Sequence, residues 1–305
     1  MSTSCGEGPE VFSGSNGRQC SKEARRMMNE TNAFRCSGWM GRPVIVCSLV
    51  LGLLLLPGAL RAEEETAVPV QPQSEALRPG EILTYDVSWS KLVTAGTATM
   101  EIKEGALPDG KKVLRFIVTT RSAGLVDTFY RVNDRLESVF DPGTMQSLKL
   151  SLNASHGKKK RRRELVFDHV NQTVISTLND DPPETIVIPD QVQDSLSSLY
   201  YLRTRDNLIV GTSIYIEVHD SGKNWSVEVQ ILGREKVKTP AGEFATIKVR
   251  TFPKYEGVFM NKGEIFIWLT DDSRRIPVLM KSTIAIGSLV STLRSMEQGK
   301  AISGL

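Results

Sequence analysis

Cysteine and histidine are scarce in this chain, and their positions exclude several kinds of site. All four cysteines lie in the first 62 residues: Cys5, Cys20, Cys36 and Cys47. If those residues are removed, as argued below, the remaining chain has no disulfide, thiolate metal site or cysteine nucleophile. The three histidines, His156, His169 and His219, each lie at or beside a predicted turn. None has a second histidine or a carboxylate at a metal-ligand spacing. We therefore predict no metal site, no catalytic histidine and no cofactor.

Motifs of catalysis and nucleotide binding are also missing after residue 62. The sequence there has no G-x-S-x-G, H-E-x-x-H, phosphate-binding P-loop or G-x-G-x-x-G motif. Two adjacent acidic pairs, Asp180-Asp181 and Asp271-Asp272, fit turn formation better than glycoside hydrolysis. We predict that the protein is not an enzyme. A hydrolase whose acidic residues are dispersed along the chain is the catalytic alternative.

Long apolar runs are limited to one segment, Val44–Leu56, which is 13 residues long. Basic residues precede it and the small residues of Pro57–Ala62 follow it, as in a secretory signal peptide. A membrane-spanning helix needs about 20 apolar residues, so this run is too short to be one. The sequence predicts a cleavable signal peptide over residues 1–62, with Met28 or Met40 as alternative starts. The mature chain is then expected in the periplasm and not as an integral membrane protein.

Neither sign of charge is in excess once this leader is set aside. The whole chain has 38 lysines and arginines and 35 acidic residues, and the leader holds seven basic and four acidic residues, which leaves 31 of each. A neutral chain gives no support for a nucleic-acid partner. Residues 63–79 are rich in Glu, Pro and Gln, and we predict that they form a disordered linker before a domain over residues 80–300.

From Glu81 onward the sequence alternates apolar and polar residues. Examples are Tyr85, Val87 and Trp89, and Ala245, Ile247 and Val249. Such alternation is typical of antiparallel strands with one buried face. Turn-forming residues separate the strands at Asp168–Asn171, Asp220–Lys223 and Pro240–Gly242. About a dozen strands predict an all-β domain with a single large curled antiparallel sheet, barrel-like or spiral.

One short helix is predicted within this sheet domain, over Asp194–Arg203. Asp194 is a favoured N-cap residue, and Leu196, Leu199 and Tyr200 have helical spacing. A single helical turn is also predicted over Leu125–Tyr130.

A run of six basic residues is the most unusual local feature: Lys158, Lys159, Lys160, Arg161, Arg162 and Arg163. Their charge predicts contact with an anionic partner such as anionic lipid, lipopolysaccharide or another envelope component. The simpler interpretation is a solvated hairpin tip or a protected strand edge, because lysine often protects exposed edges. In a strand, alternate members of the run would point to opposite faces, so about three could act together.

Aromatic residues on the predicted strands have two interpretations. They are Trp89, Trp225, Trp268, Phe244, Phe252 and Phe266. Buried aromatic side chains are common core residues of β domains. They could also form the wall of an apolar ligand cavity, which a curled sheet can enclose. An outer-membrane barrel is a weaker alternative, because charged residues fall on many of the strands.

Three segments resemble a bacterial domain-of-unknown-function family, number 3108. They are Val237–Phe244, Ile267–Val278 with Ile286–Leu289, and Glu81–Val87 with Ala95–Ala98. The resemblance covers about Gly80 to Gln298. It implies exported bacterial proteins with a curved β architecture and no established activity or catalytic residues.

These features together predict an exported, periplasmic binding or scaffold protein of the cell envelope. A carrier that holds a lipid or another apolar ligand inside the curled sheet is the main alternative.

Overall fold

The structure, a computed structural model, describes residues 73–89, 93–255, 258–259, 264–283 and 288–300. The predicted signal peptide lies outside these residues. Residues 66–305 form one compact unit of the chain.

Within the described residues the chain forms sixteen strands and three short helices. The helices are α1 (Gln73–Ala76), α2 (Gly124–Phe129) and α3 (Ser197–Arg203). The strands are β1 (Ile82–Trp89), β2 (Val93–Ala106), β3 (Lys112–Ser122), β4 (Val132–Asp141), β5 (Gln146–His156), β6 (Lys159–Asp168), β7 (Thr173–Leu178), β8 (Glu184–Val187), β9 (Gln193–Asp194), β10 (Ser213–Asp220), β11 (Lys223–Thr239), β12 (Gly242–Tyr255), β13 (Val258–Phe259), β14 (Ile265–Thr270), β15 (Pro277–Thr283) and β16 (Ser288–Glu297).

All sixteen strands belong to one sheet. Its order is β8-β7-β6-β5-β4-β3-β2-β1-β16-β15-β14-β12-β11-β10-β9, and β13 pairs with β12 beside this path. Neighbouring strands are antiparallel, except that β9 and β10 run parallel. The first strand of the domain therefore pairs with the last, so the chain folds outward from the β1·β16 pair in both directions. This confirms the predicted single large curled antiparallel sheet.

The two ends of the strand order meet through side chains, and no ladder between β8 and β9 joins them in the described part of the chain. The side-chain amide of Asn224, on β11, donates to the backbone oxygen of Val187, on β8, at 2.8 Å. The Gln193 amide, on β9, donates to the backbone oxygen of Met145 at 2.8 Å. The sheet is curled and open, so it is barrel-like without being a closed barrel.

Short turns of the predicted kind connect many of these strands. At the β10–β11 hairpin, Ser221 and Gly222 have φ values of 55° and 76°. Two consecutive positive φ values are what a two-residue hairpin turn of this kind requires, and glycine adopts them without strain. The sequence prediction of a hairpin at Asp220–Lys223 is confirmed.

The number of helices differs from the prediction of one. Helix α3 is the predicted one, but it begins at Ser197, three residues after Asp194. Asp194 still acts as a cap, because its carboxylate accepts the backbone N–H groups of Leu196 and Ser197, each at 2.7 Å. Helix α2 occupies the predicted single turn. Helix α1 lies in the segment predicted as linker, where Ala76 and Leu77 are buried in the core.

Helix α3 lies between two apolar clusters of the sheet. The Tyr200 ring stacks on Phe116 with centroids 3.8 Å apart and belongs to a cluster on β1–β7 and β14–β16. Leu202 belongs to a second cluster on β10, β11, β12 and β14. Leu199 packs against both. A helix that is apolar on two sides is expected where it is surrounded by protein.

A buried ion pair fixes the carboxyl end of α3. The Arg203 guanidinium donates to both carboxylate oxygens of Glu81, at 2.7 and 2.9 Å, and both side chains are fully buried. Arg274 adds a third contact to the same carboxylate, at 3.1 Å. These bonds hold α3 between the start of β1 and the β14–β15 turn, and so position the helix over the second cluster.

Candidate functional site

A cavity of about 450 Å³ lies between α3 and the half of the sheet formed by β10, β11, β12, β14 and β15. Its lining residues are Ser195, Ser198, Leu199, Leu202, Ile216, Val218, Asp220, Trp225, Val227, Val229, Thr251, Ile265, Ile267 and Met280. Most of these side chains are apolar. The volume lies within the range of about 300–1,000 Å³ that small-molecule sites occupy.

The alternation of the strands creates this apolar wall. Ile216 and Val218 are two residues apart on β10, and they face the same side as Val227 and Val229 of the paired strand β11. Ile265 and Ile267 of β14 continue the wall. Successive strand residues point to opposite faces, so the residues of β10, β11 and β14 that reach the cavity are spaced two apart.

Polar groups occur at few places on the cavity wall. Ser195 and Ser198 precede or begin α3, Asp220 ends β10, and Thr251 lies on β12. The indole of Trp225 donates to the backbone oxygen of Asp220 at 3.3 Å, which fixes the ring beside the β10–β11 turn. A ligand in this cavity would meet mainly apolar surface and a small polar edge near this turn.

The predicted aromatic wall is present only in part. Of the six aromatic residues considered from sequence, Trp225 is the one that lines the cavity in the described part of the chain. Trp268 is buried in the first cluster, and its indole donates to Glu235 at 2.5 Å. Phe244 and Phe266 pack against that cluster as well. Trp89 is 40% exposed.

The basic run, Lys158–Arg163, does not form one surface. Lys158 lies in the β5–β6 turn and the other five residues begin β6. Arg161 and Arg163 share the strand face of the buried Leu165, whereas Lys160 and Arg162 share the opposite, exposed face. Alternate residues of the run in β6 thus start from opposite faces of the strand.

The outward members of the run line a polar groove. Lys160 and Arg162 contribute to a groove of about 510 Å³ with Arg135 and several asparagines, and Arg161 between them also reaches it. Arg162 is already paired with Asp180, at 2.7 Å, and Arg135 with Glu137, at 2.9 Å. These exposed pairs reduce the positive charge that the groove offers to a ligand.

Arg163 differs from the outward residues because it is half-buried. Burial lowers the pKa of its guanidinium, and repulsion from Arg161 lowers it further, while Asp220 raises it. Neither arginine forms an ion pair within the described residues. Contact of this run with an anionic partner stays a prediction.

The histidines have structural partners. His156 bonds to Asp134 at 2.8 Å, and His169 bonds to the backbone oxygen of Ser147 at 2.6 Å. His219 is buried and bonds to Asn224 at 2.7 Å. Burial lowers the pKa of His219. Among the described residues, no group of three histidine, cysteine or acidic side chains is arranged to hold a metal ion.

The acidic pairs lie in turns. One oxygen of Asp272 accepts the backbone N–H groups of Arg274 and Arg275, at 3.0 and 3.1 Å, which is a turn-forming contact. The other pair contributes Asp180, the partner of Arg162. Turn formation accounts for Asp272 as the sequence analysis proposed.

The cavity residues contributed by α3 and the segment before it were not predicted from the sequence. Helical spacing assigned Leu196, Leu199 and Tyr200 to one buried face. The one sequence signal for a second apolar side of the helix was Leu202. It lies three residues after Leu199, so the two are neighbours on the helix surface, and it belongs to the second cluster. Ser195 and Ser198 had no sequence signal for a cavity.

A family model described as a protein of unknown function (DUF3108) matches residues 84–294 of the chain. This range is more than half of the sequence, and it confirms the resemblance found from the sequence segments. Comparison with curated proteins gives no match.

Several solved structures are similar to this chain. The first is a β-barrel-like protein of domain of unknown function DUF1849 from Brucella abortus, 12% identical, with a TM-score of 0.50 over 73% of this chain and 99% of that chain. This likeness shows a shared fold alone.

Two other structures are less similar. One, provisionally named an exported protein with YmcC-like fold, is from Bacteroides fragilis, 11% identical, with a TM-score of 0.29 over 72% of this chain and 97% of that chain. The other, provisionally named a lipoprotein, is from Parabacteroides distasonis, 8% identical, with a TM-score of 0.31 over 73% of this chain and 98% of that chain. Within the described ranges of this chain, no helix has the length and apolarity needed to cross a membrane.

Proposed function

The chain belongs to the DUF3108 family of proteins of unknown function, and we propose that it binds the acyl chain of a lipid in the cavity beneath α3. The observation that carries this proposal is the cavity itself, whose wall is built mainly from apolar side chains of α3 and of four strands, β10, β11, β14 and β15. Water in such a space finds few polar partners, whereas an acyl chain loses contact with water when it enters.

The energy available from this cavity suits a lipid ligand. Each methylene group that is removed from water contributes about 0.8 kcal/mol. Burial of several methylenes therefore offsets the cost of association, which is several kcal/mol for small ligands. Buried members of the wall, such as Val229 and Ile267, belong to the packed second cluster, so the sheet holds the wall in place.

We place this binding activity in the cell envelope. The leader with the apolar run Val44–Leu56 supports export to the periplasm, where carriers of lipids must shield acyl chains from water. The role proposed is binding without catalysis. Among the residues that the structure describes, the polar side chains on the cavity wall are Ser195, Ser198, Asp220 and Thr251, and these include no nucleophile paired with a general base. The Ser198 hydroxyl donates to the backbone oxygen of Ser195 at 3.1 Å.

The test uses the position of Trp225 in the wall. A fatty acid brominated along its chain quenches tryptophan fluorescence only at contact range. It should therefore quench the tryptophan fluorescence of a protein that comprises residues 63–305. Replacing Trp225 with Phe should remove most of this quenching. The matched controls, Trp89→Phe and Trp268→Phe, should retain it, because neither side chain lines the cavity. Absence of quenching, or quenching that survives in Trp225→Phe, would contradict the proposal.

A further inference from the structure

Two adjacent aromatic residues at the end of α2 are exposed to an unusual degree. The Phe129 side chain is 84% exposed and Tyr130 is 52% exposed. Single exposed apolar residues are common on protein surfaces, but neighbouring large ones mark an interaction site more often. The Tyr130 ring contacts the His156 ring, with centroids 6.0 Å apart, so the pair lies beside the end of β5.

Exposed cations surround this aromatic pair. The register brings the end of β3, the start of β4 and the β5–β6 turn to one end of the sheet, since Val132 pairs with His156 and His156 with Lys159. The backbone N–H of Gly157 donates to the oxygen of Arg131 at 2.7 Å, which ties the turn to α2. The exposed basic residues of this end are Arg121, Arg131, Lys158, Lys159 and Lys160.

The acidic residues near this end do not cancel its charge. Asp127 accepts from Ser122 at 2.6 Å and pairs with Arg131 at 3.3 Å. Asp134 pairs with His156 at 2.8 Å. A third acidic side chain, Asp180, shares a groove with Lys160 and is paired with Arg162. Among the described residues, these three acidic side chains lie near five exposed basic ones, although the chain after residue 62 has as many acidic as basic residues.

We propose that this aromatic and basic end, formed by Phe129, Tyr130 and the five cations, docks on the surface of an anionic lipid bilayer. Aromatic side chains favour the interface between headgroups and hydrocarbon, and lysine and arginine are attracted to anionic headgroups. A bilayer offers both an apolar layer and a dense negative charge, which is the complement of this surface. The inference does not depend on the cavity, because none of these residues lines it.

The experiment measures binding of residues 63–305, which contain the compact unit, to vesicles of phosphatidylglycerol and of phosphatidylcholine by co-sedimentation. Each basic residue near an anionic surface contributes about fivefold in affinity. Replacing Lys158, Lys159 and Lys160 with Ser should thus weaken binding to phosphatidylglycerol by roughly 100-fold. An increase in salt from about 0.1 M to 1 M should have a similar effect, because the Debye length falls from about 10 Å to 3 Å.

The aromatic contribution needs its own variant. Phe129→Ser should weaken binding by about tenfold, since an inserted phenyl ring leaves water. The matched control is Val170→Ser, at the other end of β6, where the side chain is 93% exposed. The matched control for the loss of charge replaces Lys112, Lys236 and Lys238 with Ser. These are three exposed lysines elsewhere on the domain. Both controls should bind as the parent does.

Thermal unfolding of each variant shows whether the fold is retained. If the aromatic variant Phe129→Ser does not fold, Tyr130→Ser replaces it. Selective loss of binding in the α2 and β5–β6 variants supports the proposal. Equal binding to both kinds of vesicle, equal losses in the controls, or no binding by the parent would overturn it. A change in oligomeric state of Phe129→Ser without any vesicle binding would also overturn it, and would indicate a second copy of the chain as the partner.

Discussion

Lengthening a fatty acid by four methylene groups, from decanoate to tetradecanoate, should lower its dissociation constant by about 200-fold. The cavity of about 450 Å³ is lined mainly by apolar side chains on α3 and on β10, β11, β14 and β15, so each added methylene should exchange water for protein. Four methylenes at about 0.8 kcal/mol each contribute roughly 3 kcal/mol, which gives this factor. The gain should stop when the chain fills the cavity.

The perturbation that isolates the cavity is Val227→Trp. Val227 faces the cavity from β11, opposite Ile216 in the ladder, and an indole there would occupy part of the space. If it displaces two methylenes, binding weakens by about 15-fold. The matched control is Tyr215→Trp, one residue from Ile216 on the opposite face of β10, where the side chain is 60% exposed.

Isothermal titration calorimetry with both fatty acids, below their micelle concentrations, measures these constants. Thermal unfolding of the two variants shows whether each retains the fold. Dissociation constants that do not change with chain length would refute the reasoning. So would Val227→Trp binding as tightly as Tyr215→Trp.

Three further predictions concern the fold and its export. Glu81→Gln should lower the free energy of unfolding by about 3–5 kcal/mol, because it leaves Arg203 buried without its charged partner. Lys103→Gln, at an exposed ion pair, should lower it by less than about 1 kcal/mol, and urea unfolding measures both. The pKa of His219 lies below its ordinary value of 6.5 because of burial, so the unfolded chain binds the proton first, and stability should fall as the pH drops below about 6.5 toward the lower folded-state pKa. His219→Gln should reduce this dependence in urea unfolding at about pH 5 and pH 7.5. The full chain expressed in a Gram-negative host should be cleaved near Ala62 and recovered from the periplasm, with a melting temperature that does not change on adding reductant. An uncleaved cytoplasmic product, or a melting temperature lowered by reductant, would contradict the predicted signal peptide.

The sheet could be predicted from the sequence because its determinants are local. Alternation of apolar and polar side chains indicates a half-buried strand wherever it occurs. Ser221-Gly222 and Pro240-Ala241 likewise indicate turns without knowledge of the rest of the chain. The strand order was not predictable in the same way. Pairing of β1 with β16 joins residues at the two ends of the domain, and no local pattern specifies that contact.

The buried ion pair illustrates the same limit. Glu81 and Arg203 are 122 residues apart in sequence, and each looks like an ordinary exposed charge in its own segment. They become fully buried only when α3 is placed inside the sheet. The sequence predicted the helix but not its orientation, and the orientation creates the pair.

The candidate cavity was predicted only as one alternative. An apolar cavity was one interpretation of the aromatic residues, and Trp225 does line the cavity, but the wall consists mainly of aliphatic residues such as Ile216 and Val229. Those positions looked like ordinary core residues, since strand alternation does not distinguish a filled interior from a space. The exposure of Phe129 was likewise invisible in sequence, because an apolar residue in a short helix is expected to be buried.

The most direct test of the central claim is native mass spectrometry of the chain purified from the envelope of its host without detergent extraction. The account predicts one lipid bound per chain, with an acyl group identified by fragmentation, in the parent and in Tyr215→Trp. The bound fraction should fall sharply in Val227→Trp. A parent chain that carries no lipid, or a lipid that remains fully bound in Val227→Trp, would contradict the assignment of the cavity as an acyl-chain site.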